Sequence, residues 1–301
     1  MTPFYEALIE RDATRARAAA AGLQGHELFP SVARFAVLAY APSQHAKHAL
    51  LACLAAHEVG AADDLLVECA IYAAASRQPW SEPPILEPPP DDAAAPEGFD
   101  DRAAAERWLA RRWRLDDFAR SYFLEASHDF EDLGHSLIVA TAAWKLASLL
   151  GEQGRYAVLR TGVWEMAAHR GERVEEHSVA LDSEALAARL VDACVAARGD
   201  IISTHALFLL DAALECGEET VQRRVRDYLT ATTAPVDLQP AASMPALTTY
   251  DLARDYAATL KAHAVARRWR ERFPSLDVAR FVAAVDWNRL HGPSFEEWSF
   301  A

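Results

Sequence analysis

Phe130-Glu-Asp-Leu-Gly-His135-Ser-Leu-Ile-Val-Ala-Thr-Ala-Ala-Trp-Lys-Leu-Ala-Ser-Leu-Leu150-Gly151 decides the fold class. From Leu137 onward it is built from Leu, Ile and Ala, with isolated polar residues and no period-2 alternation. That is a buried helix, and Gly151 is its natural stop because glycine accepts the left-handed conformation that closes a helix. Ala is the best intrinsic helix former, since it loses no side-chain entropy. Runs such as Arg17–Ala21 and Ala185–Ala188 extend the same bias along the chain. The expectation is an all-α fold, a single multi-helix orthogonal or bundle-like domain over residues 1–301.

Working outward, helices are predicted at Thr2–Ala21 (closed by Gly22), Pro30–Ala39, a segment capped by Ser43 and running to Val59, and Ala62–Ala75. Prolines 79, 83, 84, 88, 89, 90 and 96 exclude a helix over 78–98, which reads as a Pro-rich surface crossover. Helices resume at Asp101–Trp113, Asp116–Ser127, Phe130–Leu150 and Tyr156–Arg170. Others follow at Ser183–Ala197, Ser203–Glu215 and Glu219–Ala231. Pro235, Pro240 and Pro245 place an irregular crossover at 232–247. Helices at Thr249–Phe273 and Ser275–Trp287 lead to an aromatic tail, 288–301, with Phe295, Trp298 and Phe300.

The 301 residues are 51% hydrophobic and carry a formal net charge of −14. A chain this acidic repels phosphate backbones and anionic membranes, so neither nucleic acid nor membrane is an expected partner. Arg107, Arg111, Arg112 and Arg114 surround Trp108 and Trp113 and read as an aromatic-anchored helix with a solvated Arg face. The start, Met1-Thr-Pro-Phe-Tyr-Glu, lacks the basic and apolar regions of a signal peptide. No run approaches the roughly 18 uninterrupted apolar residues of a membrane span. Cys53, Cys69, Cys194 and Cys216 form no C-x-x-C pair and read as small core residues in a reducing cytoplasm. The Gly-rich phosphate loops and the G-x-S-x-G elbow are absent from the sequence.

Chemistry is concentrated in histidine. Three stretches share a pattern: His48-Ala-Leu-Leu-Ala-Cys-Leu-Ala-Ala-His-Glu, His135-Ser-Leu-Ile-Val-Ala-Thr-Ala-Ala-Trp-Lys, and His205-Ala-Leu-Phe-Leu-Leu-Asp-Ala-Ala-Leu-Glu. Each puts a histidine near a helix start, where partial positive charge holds imidazole neutral and suits it to proton transfer or carbonyl polarisation. His135 and His205 are the expected acid–base groups, with His48 orienting substrate. The other reading of each is a histidine satisfied within a core.

A metal is the competing reading. His128, Glu131 and His135 stand at i, i+3 and i+7, one face of a helix that begins by Ser127, and could ligate iron or zinc. Glu165, His169, Glu172 and Glu176 share a second face, from which His169 or Glu165 would complete the set. His45 and His48 add an i, i+3 pair. Gly134 and Gly171 interrupt the two faces, and Glu172 and Glu176 read as solvated.

Leu133-Gly-His135-Ser-Leu-Ile resembles the His-Pro-Leu-Ile segment of the questin oxidase-like family, with Ser136 in place of the proline. Gln44-His45-Ala-Lys-His48-Ala-Leu-Leu and Ile202-Ser-Thr-His205-Ala-Leu resemble two further histidine segments of that family. The resemblance implies an all-helical oxidoreductase that inserts oxygen into an aromatic polyketide without bound flavin, with His48, His135 and His205 lining the pocket. The expected function is therefore oxidation of a small, largely apolar or aromatic molecule. NADPH as a co-substrate and iron are the two cofactor candidates. A metal-dependent helical enzyme and a non-catalytic helical ligand-binding protein remain the alternatives.

Overall fold

The computed structural model describes residues 2–23, 25–42, 44–76, 101–172, 174, 181–235 and 258–291. Fourteen α-helices and no strand occur among them, so the chain is all-α. In chain order they are α1 Pro3–Ile9, α2 Ala13–Ala20, α3 Gly25–Ala39, α4 Gln44–Glu58, α5 Asp63–Ser76, α6 Arg102–Arg112 and α7 Phe118–Ala126. There follow α8 Glu131–Leu150, α9 Glu152–Ala168, α10 Ser183–Ala196, α11 Ile201–Cys216, α12 Glu219–Thr232, α13 Ala258–Arg272 and α14 Ala279–His291. The helices resolve into two compact units. Unit 1 is Met1–Leu115 with Ala142–Ala168, and unit 2 is Asp116–Thr141 with His169–Ala301.

In unit 1, α3, α4 and α5 pack on one another, α1 on α2, and α6 on α9. Leu50, Cys53, Cys69, Val32 and Phe35 sit in this core, essentially inaccessible. The core also holds an ion pair. The Lys47 ammonium donates to Glu165 at 2.8 Å, and the Tyr40 hydroxyl donates to the other carboxylate oxygen at 2.5 Å. Where α6 meets α9, the Arg102 and Arg160 guanidinium groups lie over the Trp164 ring, whose indole N–H donates to Glu106 at 2.8 Å. The Arg-rich face of α6 is aromatic-anchored as its sequence suggests: Arg114 lies over Trp113 and Arg112 over Trp108.

Unit 2 is organised by α11, which packs against α10, α12 and α13. Asp200 caps α11 through a 2.8 Å bond from the Ser203 N–H, which satisfies one of the donors a helix start leaves open. Further along α11 the buried Asp211 accepts from the Trp269 indole at 2.9 Å and from Arg268 at 2.5 Å, joining α11 to α13. The turn into α11 passes through Gly199 at φ +68°. A Cβ there would lie 2.5 Å from the Ala284 carbonyl oxygen of α14, so the space and the backbone conformation both exclude a side chain.

Several helix boundaries differ from expectation, each for a local reason. The single helix expected over Thr2–Ala21 is two. Arg11 turns left-handed at φ 58°, and Asp12 then caps α2 through a 2.9 Å bond from the Arg15 N–H. Helix α3 begins at Gly25 rather than Pro30, carrying the proline in its sixth position, where it loses one backbone bond without ending the helix. Helix α14 starts at Ala279, whose N–H is held by Asp277, and continues to His291, into the expected tail. Ser43, the 78–98 crossover, residues 236–247 of the second crossover, the start of the Thr249 helix and residues 292–301 lie outside the described residues. Helix α8 is long and apolar enough, by length and composition, to cross a membrane, and most of it is buried in the structure. A core helix meets the same criterion.

Candidate functional site

The expected continuous helix from Phe130 is broken just before His135. Asp132 (φ 47°, ψ 46°), Leu133 (φ 58°, ψ 26°) and Gly134 (φ 76°, ψ 19°) form a left-handed turn before α8 becomes regular. For Asp132 and Leu133 that conformation costs about 1–2 kcal/mol each, because Cβ crowds the following carbonyl. Backbone strain of this kind persists where surrounding structure fixes it, and it gathers at functional sites. Leu209 of α11 covers the turn: a Cβ on Gly134 would fall 2.8 Å from its Cδ1.

The turn directs the Asp132 carbonyl to the His135 ring, whose Nδ1 lies 2.5 Å from it. One Asp132 carboxylate oxygen is 3.4 Å from the same Nδ1 and 3.6 Å from Nε2 of His169, just past the end of α9. His205, the fifth residue of α11, has its Nδ1 2.7 Å from the Ile201 carbonyl. A carbonyl can only accept, so each ring carries a proton on Nδ1, and in the neutral form that leaves the lone pair on Nε2. The two imidazoles are buried, with ring centroids 4.7 Å apart at an interplanar angle of 57°. Phe208 meets His205 edge-on at 5.7 Å, and the buried Lys261 ammonium lies 4.8 Å from the Phe208 ring centre.

Burial pushes His205 well below the ordinary imidazole range. His135 and Lys261 add to that depression, while the Ile201 carbonyl and the Asp132 carboxylate oppose it. His205 is therefore neutral at physiological pH. Burial is the largest cause of this depression, where sequence spacing pointed to a helix N-terminus.

His135 and His205, two of the three histidines expected to act together, meet in unit 2. In unit 1, His48 is buried on α4. The spacing argument for His128, Glu131 and His135 does not hold as a helical face. His128 precedes α8, and the left-handed turn resets the register between Glu131 and His135. The His128 carbonyl accepts from the Val174 N–H, and the exposed Glu131 side chain runs against Gly171, where a Cβ would lie 2.2 Å from its Cγ. The face drawn through Glu165, His169, Glu172 and Glu176 is likewise cut, because α9 ends at Ala168. Glu165 is held by Lys47 and Tyr40; Glu176 and the His45 side chain lie outside the described residues. All four cysteines are free, and burial raises the Cys194 and Cys216 thiols to about 12 and about 11, which leaves them unreactive.

Neither Asp132 as an orienting group nor Lys261 stands out from the spacing of residues in the sequence. Asp132-Leu-Gly-His135 did carry a signal: Asp and Gly are among the residues that tolerate left-handed backbone. No protein-family model matches the chain, and no curated protein or solved structure is significantly similar to it.

Proposed function

We propose that the protein is a metal-dependent oxidoreductase in which His135 and His205 ligate a first-row divalent metal, iron foremost, and which acts on a small, largely apolar molecule. The observation that carries this reading is the buried pair of imidazoles, each anchored by Nδ1 to a helix carbonyl. Metal-binding histidines are held in this way, with the second nitrogen fixed by a carbonyl or carboxylate so that the first keeps its lone pair and its aim. Imidazole suits iron, zinc and copper. Phe208 supplies an apolar wall, and the resemblance of the His48, His135 and His205 segments to questin oxidase-like proteins favours an aromatic substrate, with NADPH as reductant where one oxygen atom is transferred.

The same pair without a metal would serve as a proton acceptor at Nε2, the second reading. It is favoured by Asp132, since a carboxylate at the Nδ1 edge also orients a general base.

Metal analysis separates the two. Protein expressed with iron and zinc supplements and purified without chelator is expected to hold about one equivalent of metal per chain by elemental analysis. Titration of the metal-free protein with Co(II) is expected to give a ligand-field spectrum. In His135→Ala/His205→Ala the affinity should fall by more than about 100-fold, beyond the loss that outer-shell changes cause. Absence of stoichiometric metal, with the double variant titrating like wild type, would remove the metal reading and leave the base.

A further inference from the structure

We propose that Asp132 is the positioning residue of this site: its carboxylate, delivered by the left-handed turn, fixes the His135 ring and strengthens Nε2 as a donor to metal. The inference rests on the metal reading above and adds to it a residue that makes no contact with the metal. Three observations carry it.

The first is geometric. Residues 132–134 are left-handed in succession, and two of them are not glycine. A right-handed first turn would have carried the Asp132 carbonyl along the helix axis toward the N–H of residue 136. The reversed turn brings that carbonyl to 2.5 Å from His135 Nδ1 and the carboxylate of the same residue to 3.4 Å. One residue thus presents two acceptors to one edge of one ring.

The second is electrostatic. The His135 ring is 4% exposed, while the Asp132 side chain is 29% exposed. The carboxylate therefore keeps its own hydration while its charge reaches a buried imidazole. Negative charge at the Nδ1–H edge raises the electron density at Nε2, which is how a carboxylate behind a ligating histidine increases its basicity toward a metal.

The third is the division of the carboxylate between two rings. The oxygen that faces His135 is also 3.6 Å from His169 Nε2. His169 lies on the outer side, 30% exposed, and limits where the carboxylate can swing. On this proposal its part is to support Asp132.

The test uses the full chain and Co(II) as the probe. Asp132→Asn keeps the size of the side chain, the backbone carbonyl and a residue type that accepts the left-handed region, so it removes the charge alone. Co(II) affinity is expected to fall about 10–100-fold in Asp132→Asn, with a shifted ligand-field band, while thermal unfolding of the metal-free protein changes little. His169→Gln should hold Co(II) within about 3-fold of wild type. Asp132→Asn binding as tightly as wild type, with an unchanged spectrum, would overturn the positioning role and leave the metal reading intact. Failure of the wild-type protein to bind Co(II) would overturn both.

Discussion

Replacing Gly134 by alanine tests whether the left-handed turn is a fixed part of the fold. Two costs arise from separate causes. At φ +76° an L side chain is strained by about 1–2 kcal/mol, which glycine avoids. The new Cβ would also stand 2.8 Å and 2.9 Å from the two terminal carbons of Leu209, closer than real Cβ atoms approach, and a tight 3.2 Å from its Cγ. Forcing a methyl into a packed site costs about 1–3 kcal/mol. Gly134→Ala should therefore destabilise by about 2–5 kcal/mol, read as a lowered urea midpoint at unchanged slope. A double-mutant cycle separates the parts. In a Leu209→Ala background the crowding is gone and only the backbone cost should remain, so the coupling should be about 1–3 kcal/mol. A midpoint within about 0.5 kcal/mol of wild type, or strictly additive single variants, would refute the reasoning.

His205 makes the metal-free protein sensitive to mild acid. Its folded-state pKa lies well below the value near 6.5 that it has when unfolded. Between those values the unfolded chain binds more protons, so this contribution to stability is whole above about pH 6.5 and is lost as the pH falls toward the folded pKa. From pH 6.5 to pH 5 the wild type should lose up to about 2 kcal/mol more than His205→Gln, by urea unfolding in chelator; parallel curves would show that the ring is not held neutral. In unit 1, Lys47→Met strands the buried Glu165 carboxylate with Tyr40 and should cost about 3–5 kcal/mol. Adding Glu165→Gln to that variant should recover part of the loss, and no recovery would mean that the pair matters only through its packing.

The helices were legible because alanine content, Asp caps and glycine stops act locally. Asp101, Asp182 and Asp200 each bond the N–H three residues on, and α6, α10 and α11 begin where the sequence places their caps to within a few residues. Local rules missed the places where tertiary structure overrides them. The turn at Asp132–Gly134 lies against Leu209 of α11, a contact no local rule supplies, while the break at Arg11 has its local cap in Asp12. The same limit governs the site. Counting i, i+3 and i+7 joined His128, Glu131 and His135, which presumes one unbroken helix. The echo among the His48, His135 and His205 segments presumed less, and two of its residues, His135 and His205, meet within unit 2. Lys261 was invisible because a buried ring acquires neighbours from other helices, whereas Asp132 stood in view three residues before His135 and only the left-handed turn brings it to the Nδ1 edge.

The turn at Gly199 bears on how the sequence can drift. Gly60, Gly151 and Gly217 are also left-handed, yet a Cβ at each would meet nothing within 4 Å. Asn or Asp can stand in at such open positions over evolutionary time, at a modest conformational cost. At Gly199 the carbonyl of Ala284 and the Cα of Val285 occupy the space, and backbone cannot rotate aside as a flexible side chain can. Distant descendants of this chain should therefore vary at the first three positions and retain glycine at the fourth, which makes Gly199 a fixed point for aligning sequences too divergent to match elsewhere.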